Sequence, residues 1–229
     1  MRDQSSNFGP LEIILSILPF IILITYFYKR DRKKKEPLGM ILFSFVSGVF
    51  IIFPAIFLEE LLIESLRSFK VAPIFHSGIV GGVIEESLKF LSFLLLIFNN
   101  KNFDEPFDAI FYSVLISLGF AFLENILYVY RFGVLVAFLR PFTAISAHTM
   151  FGIVMGYFFM KAKFLNSVKS LKLLYLSFAL IVPISVHFLY NFIISMKDIL
   201  GGLTLILLII YFQYMIKISK TSINRSDKL

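Results

Sequence analysis

Gly81-Gly82-Val83-Ile84-Glu85-Glu86-Ser87-Leu88-Lys89 sets two adjacent carboxylates and a lysine inside an apolar stretch running from Ile79 to Phe98. A charge near the bilayer centre costs roughly 2.5–3.5 kcal/mol on insertion scales, so three cost about 7–10 kcal/mol. The thirteen large apolar residues between Ile79 and Phe98 contribute only about 0.3–0.6 kcal/mol each. As a lone helix the segment barely breaks even. It makes sense only where its polar arc faces other helices or a water-filled cavity, and an ionisable cluster kept at that depth marks a functional site. At about 100° per residue, Gly82, Glu85, Glu86, Lys89 and Ser92 share one helical face. Glu85 and Lys89 form an i,i+4 pair in the favourable order. That pairing leaves Glu86 as the carboxylate suited to take a proton from water.

Outward from this stretch the chain is of one kind. Hydrophobic residues make up 58% of the 229, and the mean hydropathy is +0.86, far above a soluble domain. The absence of cysteine excludes disulfides, thiolate nucleophiles and thiolate metal sites, so a metal would need His, Glu, Asp or Asn ligands. The net charge of +7 sits between apolar runs, the pattern of membrane orientation and not of nucleic-acid binding. The expected fold class is all-α: a polytopic transmembrane helix bundle forming one integral membrane domain over residues 1–229. Its seven spans are read at 10–28, 38–58, 78–98, 108–130, 141–160, 173–194 and 199–217. Residues 11–28 resemble the apolar core of a signal peptide but lead into Thr25-Tyr26-Phe27-Tyr28-Lys29 without a small-residue cleavage site, so they are read as a retained anchor. With the first loop inside, the inner segments hold 15 Lys/Arg and the outer ones, Arg140 included, hold 6. The positive-inside rule then places the N-terminus outside and the C-terminus in the cytoplasm. With tryptophan absent, Tyr26, Tyr28, Tyr128, Tyr130, Tyr190 and Tyr211 are expected to supply the interfacial belt.

Three further spans carry polar constellations. Phe120-Ala121-Phe122-Leu123-Glu124-Asn125 lies in the fourth. His148 lies in the fifth, followed by Gly152 and Gly156, small residues that admit a close neighbouring helix. His187-Phe188-Leu189-Tyr190-Asn191 in the sixth sets His187 and Asn191 one turn apart, with Pro183 a turn earlier. Counted from the outer span ends at 1.5 Å per residue, Glu85, Glu86, Glu124, His148 and His187 all lie roughly 9–12 Å deep. Independent polar residues on four helices would not be expected to share a level. Taken together they describe a water-activating site. Glu86 or Glu85 is the base, Lys89, Asn125 and Asn191 support it, and His148, His187 and Glu124 bind a divalent metal such as zinc or stabilise an oxyanion. His76 and the Glu59-Glu60 pair sit at span ends and are read as a loop or helix cap and a solvated helix end.

Several hydrolase chemistries are absent. No His is followed by the H-E-x-x-H spacing, no G-x-S-x-G elbow is present, and no Asp lies in a span core. Glutamate-led hydrolysis or ion and proton movement remains.

At these residues the chain resembles the PrsW family of intramembrane proteases. Glu85-Glu86-x-x-Lys89, Phe120-x-x-x-Glu124-Asn125, His148 and His187-x-x-x-Asn191 occur in that family's order and spacing, and Tyr28-Lys29-Arg30-Asp31-Arg32-Lys33-Lys34-Lys35-Glu36-Pro37 looks like its opening. The resemblance covers about residues 20–195. It implies a multi-pass cell-membrane protease that cleaves a membrane-anchored polypeptide by glutamate-activated water, and the shared depth of the polar residues sets the expected cleavage near the extracytoplasmic side. The family is distantly similar to the CAAX-type prenyl endopeptidases, which usually carry Arg where this chain has Lys89 and His where it has Glu124. An ion- or proton-coupled transporter, or a CAAX-type endopeptidase, is the alternative.

Overall fold

The computed structural model describes residues 9–31, 34–66, 73–165 and 168–227, and among them there is no strand. The helices are α1 Pro10–Arg30, α2 Leu38–Phe50, α3 Ile52–Leu66, α4 Pro73–Ser92, α5 Pro106–Phe132, α6 Val134–Leu139, α7 Ala144–Phe164, α8 Lys169–Ser195, α9 Lys197–Leu200 and α10 Gly202–Ser226. A π turn, Phe93–Ile97, extends α4, and a 3₁₀ turn, Arg140–Phe142, leads into α7. Among the described residues six stretches are long and apolar enough to cross a membrane: Pro10–Arg30, Leu38–Ser65, Pro106–Phe132, Val134–Phe164, Lys169–Ser195 and Gly202–Ser226. Each carries one of the expected spans. The seventh expected span, 78–98, falls on α4 and its π turn, whose Glu85, Glu86 and Lys89 keep it out of that set. The protein is an all-α, multi-pass membrane protein.

The central helix is α5. From Phe107 to Ala121 every residue on it is buried, because neighbours lie against it on several sides. Between apolar helices in lipid, close packing replaces the hydrophobic drive, so small residues mark the crossings. A Cβ on Gly119 would lie 1.9 Å from the Phe45 carbonyl oxygen, and one on Gly48 would lie 2.1 Å from that of Ile116, so α2 and α5 touch backbone to backbone. On α7, a Cβ on Gly156 would come within 2.4 Å of the Ala109 oxygen and one on Gly152 within 2.9 Å of Ser117 Oγ. The face that the sequence marked for close approach is therefore the α5 face. A Cβ on Gly82 would meet the Phe188 nitrogen at 3.2 Å, which sets α4 against α8. These crossings bring α4, α5, α7 and α8 together. Below them Phe93 stacks on Phe159 with ring centroids 4.1 Å apart, and both are fully buried.

The segments counted as inner meet at one end of the bundle. Arg30 pairs with Asp227 at 2.6 Å, Lys34 pairs with Asp104, and Lys163 donates to the Phe98 and Phe103 carbonyls at 3.1 and 2.6 Å. Three readings change. Tyr190 and Tyr211 are 6% and 5% exposed, and the Tyr211 hydroxyl donates to the Val186 carbonyl, so neither belongs to an interfacial belt. Glu59 and Glu60, read as a solvated helix end, lie within α3, which runs on to Leu66. His76, read as a loop or helix cap, lies in the first turns of α4; its side chain is outside the described residues.

Candidate active site

The polar side chains that the sequence placed at one depth converge. Glu85, Glu86, His148 and His187 each offer a ligand atom, all within 4.8 Å of one another and all on buried residues. At their centre is Lys89, fully buried. Its Nζ donates to Glu86 Oε1 at 2.8 Å, to Glu85 Oε2 at 3.2 Å and to His148 Nδ1 at 3.1 Å, and it sits 4.3 Å over the Phe120 ring. The i,i+4 reading was thus incomplete. The ammonium holds both carboxylates, the i,i+3 one more closely.

Hydrogen-bond chemistry fixes the two imidazoles. An ammonium only donates, so His148 Nδ1 accepts, and Nε2 carries the proton that it donates to Glu124 Oε2 at 3.1 Å. A carboxylate only accepts, so His187 Nδ1 donates to Glu86 Oε1 at 2.9 Å. In a neutral ring this leaves His187 Nε2 as the basic nitrogen. The His187 ring is held by stacking on Phe151, centroid to centroid 4.7 Å, and stands edge-on to His148 at 5.3 Å.

Glu86 is asymmetric. Its Oε1 accepts from Lys89 and His187, whereas Oε2 is buried and has no hydrogen-bond partner among the described residues. Such an oxygen costs free energy unless a donor or cation reaches it. Glu85, with a side chain 12% exposed, lies at the edge of the group. A Cβ on Gly81 would sit 3.1 Å from Asn191 Nδ2 and 3.3 Å from Glu85 Oε1, so the bare backbone of Gly81 makes room for both side chains.

Glu124 lies behind the group and not in it. Its Oε2 accepts from His148 and, at 2.7 Å, from Arg140 Nη2. Arg140 Nε donates to Asn125 Oδ1 at 2.9 Å, and Asn125 Nδ2 donates to the Ser16 carbonyl of α1 at 3.3 Å. Counted as an outer loop charge from the sequence, Arg140 is instead 7% exposed and orients the carboxylate that orients His148. The signal that could have found it is charge balance: Glu124 inside a span needs a cation, and the next span is entered through Arg140-Pro141.

Two imidazoles and two carboxylates are a donor set that zinc-class ions accept, and the bare Glu86 Oε2 is the sort of orphan atom that a bound ion would satisfy. Glu124, expected beside the two histidines as a ligand, is placed to hold the far nitrogen of one of them, the usual part of an outer carboxylate.

A family model described as PrsW family intramembrane metalloprotease matches residues 36–218. Protease PrsW of Bacillus subtilis (strain 168) is 37% identical over 183 residues, covering 80% of this chain and 82% of its own length. Protease PrsW of Geobacillus kaustophilus is 34% identical over 186 residues, covering 81% and 80%. That of Clostridioides difficile (strain 630) is 33% identical over 211 residues, covering 90% and 87%. No solved structure is significantly similar.

Proposed function

The chain belongs to the PrsW family and is an intramembrane protease, and from that premise we propose that it cleaves a membrane-anchored polypeptide with Glu86 as the general base. The observation that carries this is the asymmetry of Glu86: one oxygen held twice, the other buried and bare. A carboxylate fixed in this way cannot rotate, and its open oxygen is the acceptor to which water would bring a proton.

Water adds to the peptide carbonyl as Glu86 Oε2 takes its proton. The same proton then passes to the leaving amide nitrogen, the C–N bond breaks, and the products are a carboxylate and an amine. Lys89 holds a positive charge 2.8 Å from Glu86 throughout, stabilising the ionised base. His187 fixes the orientation of Glu86, while Glu124 and Arg140 fix that of His148. Glu85, Glu86, His148 and His187 are the residues that would hold a metal, and such an ion supplies Lewis-acid polarisation and a more acidic bound water. His148 Nδ1 would then have to exchange Lys89 for the ion.

The positive-inside count supports a cytoplasmic position for the end where Arg30, Lys34, Lys163 and Asp227 meet, and hence access to the site from the extracytoplasmic side. Reporter fusions after residue 35 and after residue 229 should both read cytoplasm.

The deciding experiment uses the full chain in detergent with single-pass membrane substrates. Glu86→Gln keeps the shape of the side chain but cannot accept the proton. A loss of about 10²–10⁴-fold in turnover is expected, with expression and membrane insertion unchanged. Full cleavage by Glu86→Gln would remove Glu86 from the role, and the Glu85→Gln variant then decides whether its neighbour carries it.

A further inference from the structure

Tyr190 and Tyr211 are buried, take no part in the proposed chemistry, and lead away from the site toward α10. The path starts at Phe151, fully buried on α7, whose ring touches both imidazoles. It stacks on His187, with centroids 4.7 Å apart and planes at 25°, and meets His148 edge-on at 5.7 Å. Tyr190 stands edge-on to Phe151 at 6.2 Å. Tyr211 and Phe212 of α10 pack against Tyr190 at 5.9 and 6.1 Å. The rings form an unbroken line from His148 and His187 to α10. Aromatic pairs have preferred geometries, so such a line transmits position as well as bulk.

The line ends in a directed contact. The Tyr211 hydroxyl donates at 3.1 Å to the carbonyl of Val186, the residue before His187. Helix α8 needs support there for a local reason. Pro183 has no N–H to give to the Ala179 carbonyl, so α8 lacks a backbone hydrogen bond about one turn before His187. A helix weakened at that point bends more readily, and a bend would carry the imidazole with it. The demand on His187 is exacting. Its Nδ1 donates to Glu86 Oε1 at 2.9 Å, sharing that oxygen with Lys89, and a small drift of the ring would free the carboxylate to turn.

We propose that Tyr211 is a positioning residue for cleavage. From α10 it fixes the backbone of α8 at Val186 and, through Tyr190 and Phe151, the plane of the His187 ring. It thereby holds Glu86 in the orientation from which Oε2 takes a proton. The proposal rests on the reading of Glu86 as the base, and it gives α10 a part in the reaction although that helix brings no side chain to the group of four.

Two variants of the full chain in detergent test this on a single-pass membrane substrate, well below the melting temperature. Tyr211→Phe removes the hydroxyl and keeps the ring; kcat should fall at least about threefold with KM unchanged. Tyr211→Leu also removes the ring, and kcat should fall about 10–100-fold, the scale on which misplacement remote from the chemistry acts. A merely structural tyrosine would lower the melting temperature and leave the turnover of the folded protein at the wild-type value. Wild-type kcat in both variants therefore overturns the role, as does a loss confined to KM. Glu86→Gln in the same assay separates this proposal from the one beneath it. Full cleavage by Glu86→Gln together with slow cleavage by Tyr211→Leu would remove Glu86 as the base and leave Tyr211 positioning His187. Slow cleavage by Glu86→Gln with unimpaired Tyr211 variants would keep the base and overturn the positioning.

Discussion

Two groups of buried carboxylates occupy this bundle, and they are balanced in opposite ways. At the membrane site Glu85, Glu86 and Glu124 are matched from within: Lys89 touches the first two and Arg140 the third, with His148 and His187 between them. At the α1–α5 junction the carboxylates of Asp31, Glu36 and Asp108 form no salt bridge among the described residues, and the described cations nearby hold Asp227, Asp104 or backbone oxygens. Glu36 shows the consequence: burial first, and then the charge of Asp108, push its carboxyl up to about 8. A protein that seals charge inside itself must supply the counter-charge or take it from outside. The candidate site carries its own, whereas at the junction burial raises the carboxyl of Glu36 instead.

The sharpest way to break the comparison is to remove the internal counter-charge. Lys89→Met leaves Glu85 and Glu86 buried without their common partner, a change of the kind that costs about 3–5 kcal/mol. It should abolish a cooperative melt or lower it steeply, and cleavage should vanish with it. The matching change at the junction removes a buried carboxylate whose Oδ1 has no hydrogen-bond partner among the described residues. Asp31→Asn, measured in chelator so that no cation contributes, should leave the melting temperature unchanged or raise it. Equal destabilisation by the two changes would mean that both groups are balanced internally.

A smaller effect is expected one step behind the candidate site. Arg140→Gln removes the charged donor to Glu124 while Glu86, Lys89 and His187 stay in place. Losing such an outer partner typically costs about 10–100-fold in activity or metal affinity. The loss should fall on kcat and leave KM near its wild-type value, because Arg140 acts through Glu124 and His148. A change confined to KM would instead place Arg140 on the substrate.

How far the sequence could be read follows from the same contrast. Glu86, His148 and His187 were legible because a polar residue in an apolar span is expensive, so its position alone carries information, and four spans agreed on a depth. The helix order was legible for a similar reason: runs of apolar residues of spanning length leave few alternatives. Arg140 was not, because a cation at the end of a span is indistinguishable from an orientation signal until the fold turns it inward. Nor was the junction. Asp31 lies in a run of lysines and arginines and Asp108 at a span boundary, where acidic residues are ordinary, and only the packing of α1 against α5 buries them. Tyr190 and Tyr211 failed similarly, since a tyrosine near a span end serves an interface or a core equally well. That Glu124 lies on the far nitrogen of His148 and outside the group of four is a matter of a few ångströms, which depth along a helix does not resolve.

The smallest predicted effect tests whether the junction's surface lysines are its counter-charge after all. Lys34 pairs with Asp104, but the two side chains are 57% and 43% exposed. A pair in that setting gains little, since water screens the attraction and two side chains lose freedom. Lys34→Ala should therefore shift the melting temperature by no more than a few degrees, and the shift should shrink further as salt is raised, because exposed charges are screened within a Debye length of about 8–10 Å. Cleavage should be unaffected, since the Lys34 side chain is held at Asp104 and does not contact Glu86. A large, salt-resistant loss of stability would show instead that Lys34 neutralises the carboxylates beneath it. The junction would then resemble the membrane site, with its cation built into the chain.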